Sequence, residues 1–336
     1  MNFLSRLMPS NADKAKSRDK SGVALDQFIR LAYGDNSPSP DLIGKIASHL
    51  GKSSIDHLAD ARSVLMFLDR QTYPTQINIQ FSSAEVDFAE INGLQCAIDG
   101  SDISVSSPAA ASGIYEPHIA RQIQRYCLQG GVAYDIGANV GFHAMLMASR
   151  VSETGQVYAF EPNSENARLI LLSAQKNQLK NISLLPLALA NKRGWEYFST
   201  HIGSNGGFVD EHKQALQTYG TIVPVMTMDE LKLPDPDFIK IDIEGAEYKA
   251  LIGGVETIKR ARPVIICEFS FEMIRRVSGI SGGDFIRWVQ SLDYRVSIVN
   301  RARDKLLPVD SAEELVSTWG SPARIEDLLL VPLEKS

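Results

Sequence analysis

Apolar residues recur along this chain with different periods, and each period predicts a different kind of structure. Between residues 22 and 70, Val23, Leu25, Phe28, Ile29 and Ala32 fall at helical spacing. Gly34-Asp35-Asn36-Ser37-Pro38 breaks that stripe. Leu42, Ile43, Ile46 and Leu50 form a second one, closed by Gly51, and Ile55, Leu58, Val64, Leu65 and Phe67 form a third. From 76 to 105 the period shortens to two. Ile77, Ile79 and Phe81 alternate with polar residues, and Val86 and Phe88 lead into Ile91-Asn92-Gly93-Leu94, a strand, a tight turn and a strand. From residue 131 onward, short apolar strands alternate with amphipathic helices. The strands are Val132–Ile136, Gln156–Glu161, Ile182–Pro186, Phe238–Asp242 and Val264–Glu268, and the helices lie near Phe142–Arg150, Glu165–Asn177 and Gly245–Gly253. A helix over Phe285–Leu292 precedes two closing strands, Tyr294–Val299 and Asp327–Val331. This alternation predicts an α/β fold: a doubly wound, mostly parallel sheet covered by helices on both faces.

The periods divide the chain into a flexible tail (1–20), a helical region (21–72), a small β-rich segment (73–112) and an α/β domain (113–336). The 336 residues are 44% apolar and 22% charged, an ordinary globular composition that builds a core without staples. The net charge of −6 provides no pull on nucleic acid or on an anionic membrane. Cys96, Cys127 and Cys267 are far apart and odd in number, which argues against a disulfide framework and a zinc site and for a reducing, cytoplasmic compartment. No apolar run approaches the ~20 residues of a membrane span. Residues 1–20 lack the apolar region of a secretory signal.

Three motifs carry candidate chemistry. The first, Asp135-Ile136-Gly137-Ala138-Asn139-Val140-Gly141, leaves a buried strand and opens a helix. In an open α/β sheet, ligands bind outside the carboxyl ends of the strands, where the strand order switches. A dinucleotide site would present G-x-G-x-x-G to a pyrophosphate. Here Asp135 stands two residues before the first glycine, and a carboxylate there repels a pyrophosphate but suits a cation. S-adenosylmethionine, with its sulfonium and ammonium, fits that sign better than NAD. The second motif, Phe160-Glu161-Pro162-Asn163, puts an acid at the end of the next strand, where it can accept both hydroxyls of a ribose. The third, Lys240-Ile241-Asp242-Ile243-Glu244-Gly245-Ala246-Glu247, runs from a buried strand into three carboxylates. Strand alternation puts Lys240 and Asp242 on one face. Acids there orient a substrate hydroxyl, act as general base or hold a metal; helix capping by Asp242 or Glu244 is the plainer alternative. Glu268, after Val264-Ile265-Ile266-Cys267, adds an acid to the same rim. His143 is either a base near the turn or a plain helix-surface or satisfied histidine. His201 and Asn205-Gly206-Gly207 lie in a connection too long for a simple loop, of the kind that shapes substrate pockets.

Together with Tyr115-Glu116-Pro117 and Thr227-Met228-Asp229-Glu230-Leu231, these motifs resemble the FkbM-type methyltransferases in order and spacing from about residue 113 to the end. The resemblance implies a class I, Rossmann-like methyltransferase fold of seven strands in the order 3-2-1-4-5-7-6, the last strand antiparallel. It implies O-methylation of a hydroxyl on a sugar, glycan or related natural product, with S-adenosylhomocysteine as coproduct. On this reading Asp135, Gly137, Asn139 and Glu161, with Gly141 and Asn163 of the same motifs, bind S-adenosylmethionine, and Glu116 closes over its methionine end. Asp242, Glu244 and Glu268 face the acceptor as catalytic candidates; Lys240, His143 and Asn205 are assigned to the acceptor side. His143 departs from the resemblance, in which Tyr or another non-His residue is common at this position, and its role stays open. A divalent metal is possible but not indicated, since the acids lack a clear ligand spacing. The alternatives are a nicotinamide-dependent oxidoreductase on a similar sheet, which the missing G-x-G-x-x-G disfavours, and a non-catalytic glycan-binding or scaffold protein.

Overall fold

The computed structural model describes residues 86–100, 102, 104–202, 205–208, 220–301 and 305–335, with the backbone of 23–24 and 54–55. Its centre is an eight-stranded sheet in the spatial order Lys305–Val309, Tyr294–Asn300, Glu326–Pro332, Val264–Phe269, Phe238–Ile241, Val132–Ile136, Gln156–Phe160, Ile182–Leu185. The seven strands of the expected fold are all present in the expected order. The strands from Ile182 to Val264 pair in parallel, and Glu326–Pro332 runs antiparallel between Val264–Phe269 and Tyr294–Asn300. Lys305–Val309 hairpins onto Tyr294–Asn300 and adds the eighth strand at the edge.

Alternation along each strand builds two cores. Ala133, Val157, Ala159, Phe238, Val264 and Ile266 face one layer, which includes the helices Pro117–Tyr126, Phe142–Val151 and Ser164–Lys176. Tyr134, Phe160, Ile239, Ile241, Ile265 and Cys267 face the other, which includes Glu247–Ile252, Val255–Ala261, Phe271–Ser278 and Gly282–Gln290. A strand with both faces covered reads as a continuous apolar run, and all four residues of Phe238–Ile241 are buried, Lys240 among them.

The Asn92-Gly93 pair turns the hairpin Asp87–Ile91/Leu94–Ile98, with φ of +52° and +80° as such a turn requires. The hairpin docks on the helix Ser164–Lys176: the Ala97 amide donates to Ser173 Oγ at 2.8 Å, and the Gln95 amide to Asn177 Oδ1 at 3.0 Å. Most of the helical region 21–72, the tail 1–20 and the Ile77–Phe81 strand lie outside the described residues. Val23–Ala24 and Ser54–Ile55 pair as short antiparallel strands, so Val23 and Ile55 stand on extended backbone where helical spacing placed them on helices. Both are β-branched, which suits them to strands.

Between the strands Ile182–Leu185 and Phe238–Ile241, the chain forms a separate four-stranded sheet ordered Asn205–Phe208, Gly194–Ile202, Gly220–Met226, Ala188–Leu189. It carries its own small core of Ala188, Ala190, Phe198, Val223 and Val225. Among the described residues no helix is long and apolar enough to cross a membrane.

Candidate active site

The helices that follow the strands Val132–Ile136 and Phe238–Ile241 pack on opposite faces of the sheet, so a crevice opens at the ends of these two strands. The chain leaves Ile136 through Gly137 (φ +77°), Asn139 (φ +51°) and Gly141 (φ +89°) before the helix Phe142–Val151 begins. A Cβ on Gly137 would lie 2.0 Å from the Asp242 carbonyl oxygen and 2.7 Å from Ile243 Cγ2. The Asp242 amide donates to the Ile136 carbonyl at 3.0 Å, so the two strand ends are tied together at this point. Gly141 has a different task from the one expected. A side chain there would strike Ile170 Cγ1 at 2.7 Å, so this glycine lets two helices approach and does not line the crevice. The wall is Gly137, Ala138, Asn139 and Val140.

Glu161 stands in the same wall at the end of the next strand, 4% exposed. Its Oε2 accepts the Asn139 amide and its Oε1 the Asn163 amide, both at 2.8 Å. Burial pushes its carboxyl up to about 8, against the pull of those hydrogen bonds. Asn163 holds Glu161 through its backbone, while its side chain caps the helix Ser164–Lys176 by accepting the Glu165 amide at 3.0 Å. That cap, favoured for Asn before a helix, occupies the side chain assigned to a ligand.

Charge is concentrated beyond the glycine turn. Lys240 Nζ lies 3.5 Å from Asp242 Oδ2 and 3.7 Å from Asp135 Oδ1. Burial works to deprotonate Lys240, but Asp242, Asp135 and Glu116 outweigh it and hold the ammonium charged. Asp135, expected to meet a cationic ligand directly, is 0% exposed and sits behind the wall; parallel pairing sets it opposite Lys240. Lys240 takes up its charge, and the carboxylates on the wall are Glu116, Glu161, Asp242, Glu244 and Glu268.

Glu116 adopts φ +39° at the start of the helix Pro117–Tyr126 and meets His143 Nε2 through Oε2 at 2.9 Å. Burial raises its carboxyl, but the His143 hydrogen bond and the His143 and Lys240 charges bring it down to about 2. His143 is buried on the wall, 3% exposed, so the helix-surface alternative is set aside. Burial raises Asp242, opposed by Lys240. Glu268 goes up to about 10 through burial and the charges of Asp242, Glu244 and Glu247, and Glu244 to about 7 through burial and Asp242. Glu247 is structural: its Oε1 accepts the amides of Ile243 at 3.0 Å and Gly245 at 3.1 Å, shaping the loop that presents Glu244. The side chains of His201 and Asn205 lie outside the described residues. Among the described residues no group of three or more His, Cys, Asp or Glu is arranged to hold a metal.

Sequence reasoning missed the apolar part of the wall: Leu187, Ala188 and Leu189 beside the strand Ile182–Leu185, and Phe198 from the inserted sheet. The length of the connection was the only signal, and it did not single out a residue. Tyr115, quoted within a motif, received no role; its ring lies 5.1 Å from the His143 ring and 5.3 Å from Phe142.

Residues 135–296 match the family described as the methyltransferase FkbM domain. A 155-residue stretch is 24% identical to the hexuronic acid methyltransferase AglP of Haloferax volcanii, covering 45% of this chain and 61% of that protein. The match thus spans about three fifths of the relative's length. The structure of the methyltransferase FkbM from Methylobacillus flagellatus is similar at a TM-score of 0.38 and 16% identity, over 60% of this chain and 43% of that one. An S-adenosylmethionine-dependent O-methyltransferase from Thermotoga maritima is similar at 0.35 and 12%, over 65% and 64%. The family match covers the glycine turn, Glu161 and the acidic strand ends together, and it replaces the nicotinamide alternative. Residues 135–296 are therefore similar to the methyltransferase FkbM domain, and the similarity carries the methyltransferase reading of the crevice.

Proposed function

We propose that this chain transfers a methyl group from S-adenosylmethionine to a hydroxyl of a sugar, glycan or related natural product. The observation that carries the reading is Glu161, fixed by two backbone amides beside the glycine turn. Each carboxylate oxygen keeps a second lone pair, so the carboxylate still accepts from two ribose hydroxyls. The rest of the wall fits the same group. Leu187, Leu189 and Phe198 suit a purine, the carboxylates suit a sulfonium, and His143 Nδ1 is buried with no hydrogen-bond partner. S-adenosylmethionine supplies an electrophilic methyl on a cationic sulfur. Asp242, beside the Lys240 ammonium, takes the proton of the acceptor hydroxyl. Glu268 keeps its proton at neutral pH and donates a hydrogen bond to the acceptor. A sugar acceptor draws further support from the likeness to the hexuronic acid enzyme.

Calorimetry with S-adenosylhomocysteine and with NAD tests the cofactor: the first is expected to bind and the second not, and binding of NAD alone overturns the reading. Methyl transfer from labelled cofactor over a panel of sugars and glycolipids then tests the acceptor class.

Glu161 adds a pH signature. It holds its proton up to about 8 in the free protein, and two ribose hydroxyls need it ionised. Affinity for S-adenosylhomocysteine is expected to rise by close to tenfold per pH unit below about 8 and to level off above. Glu161→Gln is expected to lose that slope and to bind roughly tenfold more weakly at alkaline pH. A wild-type profile flat from about pH 6 to about pH 9 counts against this role. The same raised carboxyl makes the ligand-free fold lose stability as pH climbs from about 4.5 towards 8, because the unfolded chain releases the proton first.

A further inference from the structure

The strand order gives the crevice a direction. Leu187 follows the strand Ile182–Leu185 at the sheet edge, Glu161 ends the next strand, the glycine turn ends the one after, and Lys240 and Asp242 end the fourth. Glu116 belongs to this last, charged side, since its charge bears on both Lys240 and Asp242. A nucleoside whose ribose meets Glu161 and whose base meets Leu187 brings its amino-acid end to Glu116 and His143.

An α-carboxylate arriving there meets carboxylates of its own sign and needs a hydrogen-bond donor. Lys240 is already held between Asp135 and Asp242, and Arg301 is bound to Asp327, with Nη2 at 3.0 Å. His143 is differently placed. Its side chain belongs to the crevice wall and its Nε2 meets Glu116 at 2.9 Å, while its Nδ1 is buried with no hydrogen-bond partner. Buried polar atoms are nearly always satisfied, so an orphan in a binding wall marks a contact that the ligand completes. The ring stands in the first turn of the ten-residue helix Phe142–Val151, whose amino end adds positive potential.

We propose that His143 donates a hydrogen bond through Nδ1 to the α-carboxylate of the cofactor, while Glu116 takes the α-ammonium, so that the pair reads the zwitterionic end as a unit. The inference rests on the cofactor reading above. It gives His143 a positioning role distinct from proton transfer.

Calorimetry with three ligands tests it: S-adenosylhomocysteine, its decarboxylated amine, and methylthioadenosine, which lacks the amino-acid end. Wild type is expected to prefer S-adenosylhomocysteine to the decarboxylated amine by about tenfold, the scale of a charge-assisted hydrogen bond. His143→Phe is expected to erase that preference and leave methylthioadenosine binding within about twofold, which also reports a folded protein. His143→Asn keeps a donor near the Nδ1 position and is expected to restore most of the preference. His143→Gln keeps one near Nε2 and is expected not to. Equal weakening of all three ligands, no weakening, or rescue by Gln overturns the proposal. If wild type binds methylthioadenosine as tightly as S-adenosylhomocysteine, the cofactor reading stands and this inference falls. If wild type binds none of them, the cofactor reading itself falls.

Discussion

Gly137→Ala is expected to abolish S-adenosylhomocysteine binding and to lower thermal stability more than any other single methyl added near the crevice. Two terms add. The backbone at φ +77° costs an alanine about 1–3 kcal/mol in strain. The new Cβ also falls 2.0 Å from the Asp242 carbonyl oxygen, a backbone atom held by the pairing of Phe238–Ile241 with Val132–Ile136. Only separation of the two strand ends relieves that contact, and separation opens the wall that holds Glu161 and Asp242. A loss of about 3 kcal/mol or more corresponds to a fall in Tm of roughly 6–12 °C for a domain of this size. Gly279→Ala is the control: its φ is +73°, yet nothing lies within 4 Å of the added carbon, so it carries the strain term alone. The argument fails if both variants melt together, or if Gly137→Ala still binds the ligand.

The same collision shows what was legible beforehand. The period of apolar residues located every strand of the expected fold to within a residue or two at its ends, because strands covered on both faces read as mostly apolar runs. The places of Gly137 and Glu161 on the crevice wall were legible because each answers a local demand, a positive φ at a turn and an acid at a strand end. Register was not. Asp135 and Lys240 are 105 residues apart, and only parallel pairing of their strands sets one carboxylate against the ammonium and removes it from the wall. His143 and Glu116 likewise meet across two helices that single-sequence spacing does not orient. The inserted sheet was read only as length, since its strands cover a crevice whose other walls lie elsewhere in the chain. Gly141 and Asn163 were read as ligand residues, and a close helix contact and a helix cap use the same residue types as a ligand loop.

Asp242→Asn is expected to lower kcat by about a hundredfold to ten-thousandfold, the range for loss of a general base, while S-adenosylhomocysteine affinity moves only a few-fold. Glu268→Gln is expected to be far milder. The asymmetry follows from what surrounds each acid. Asp242 has the Lys240 ammonium at 3.5 Å, which favours its ionised form against burial, and 28% of its side chain is open to the crevice. Glu268 has no comparable cation and feels Asp242, Glu244 and Glu247, so it stays protonated up to about 10. Glutamine reproduces a neutral Glu268 but not an ionised one. The pH profile separates the two roles. Wild-type activity is expected to rise as Asp242 loses its proton, above the ordinary aspartate range because burial raises it, and to fall again near 10 as Glu268 ionises and repels the Asp242 charge. Glu268→Gln is expected to keep the acid limb and lose the alkaline one. If Glu268→Gln is instead as inactive as Asp242→Asn, the proton leaves through Glu268, and the two carboxyls exchange roles.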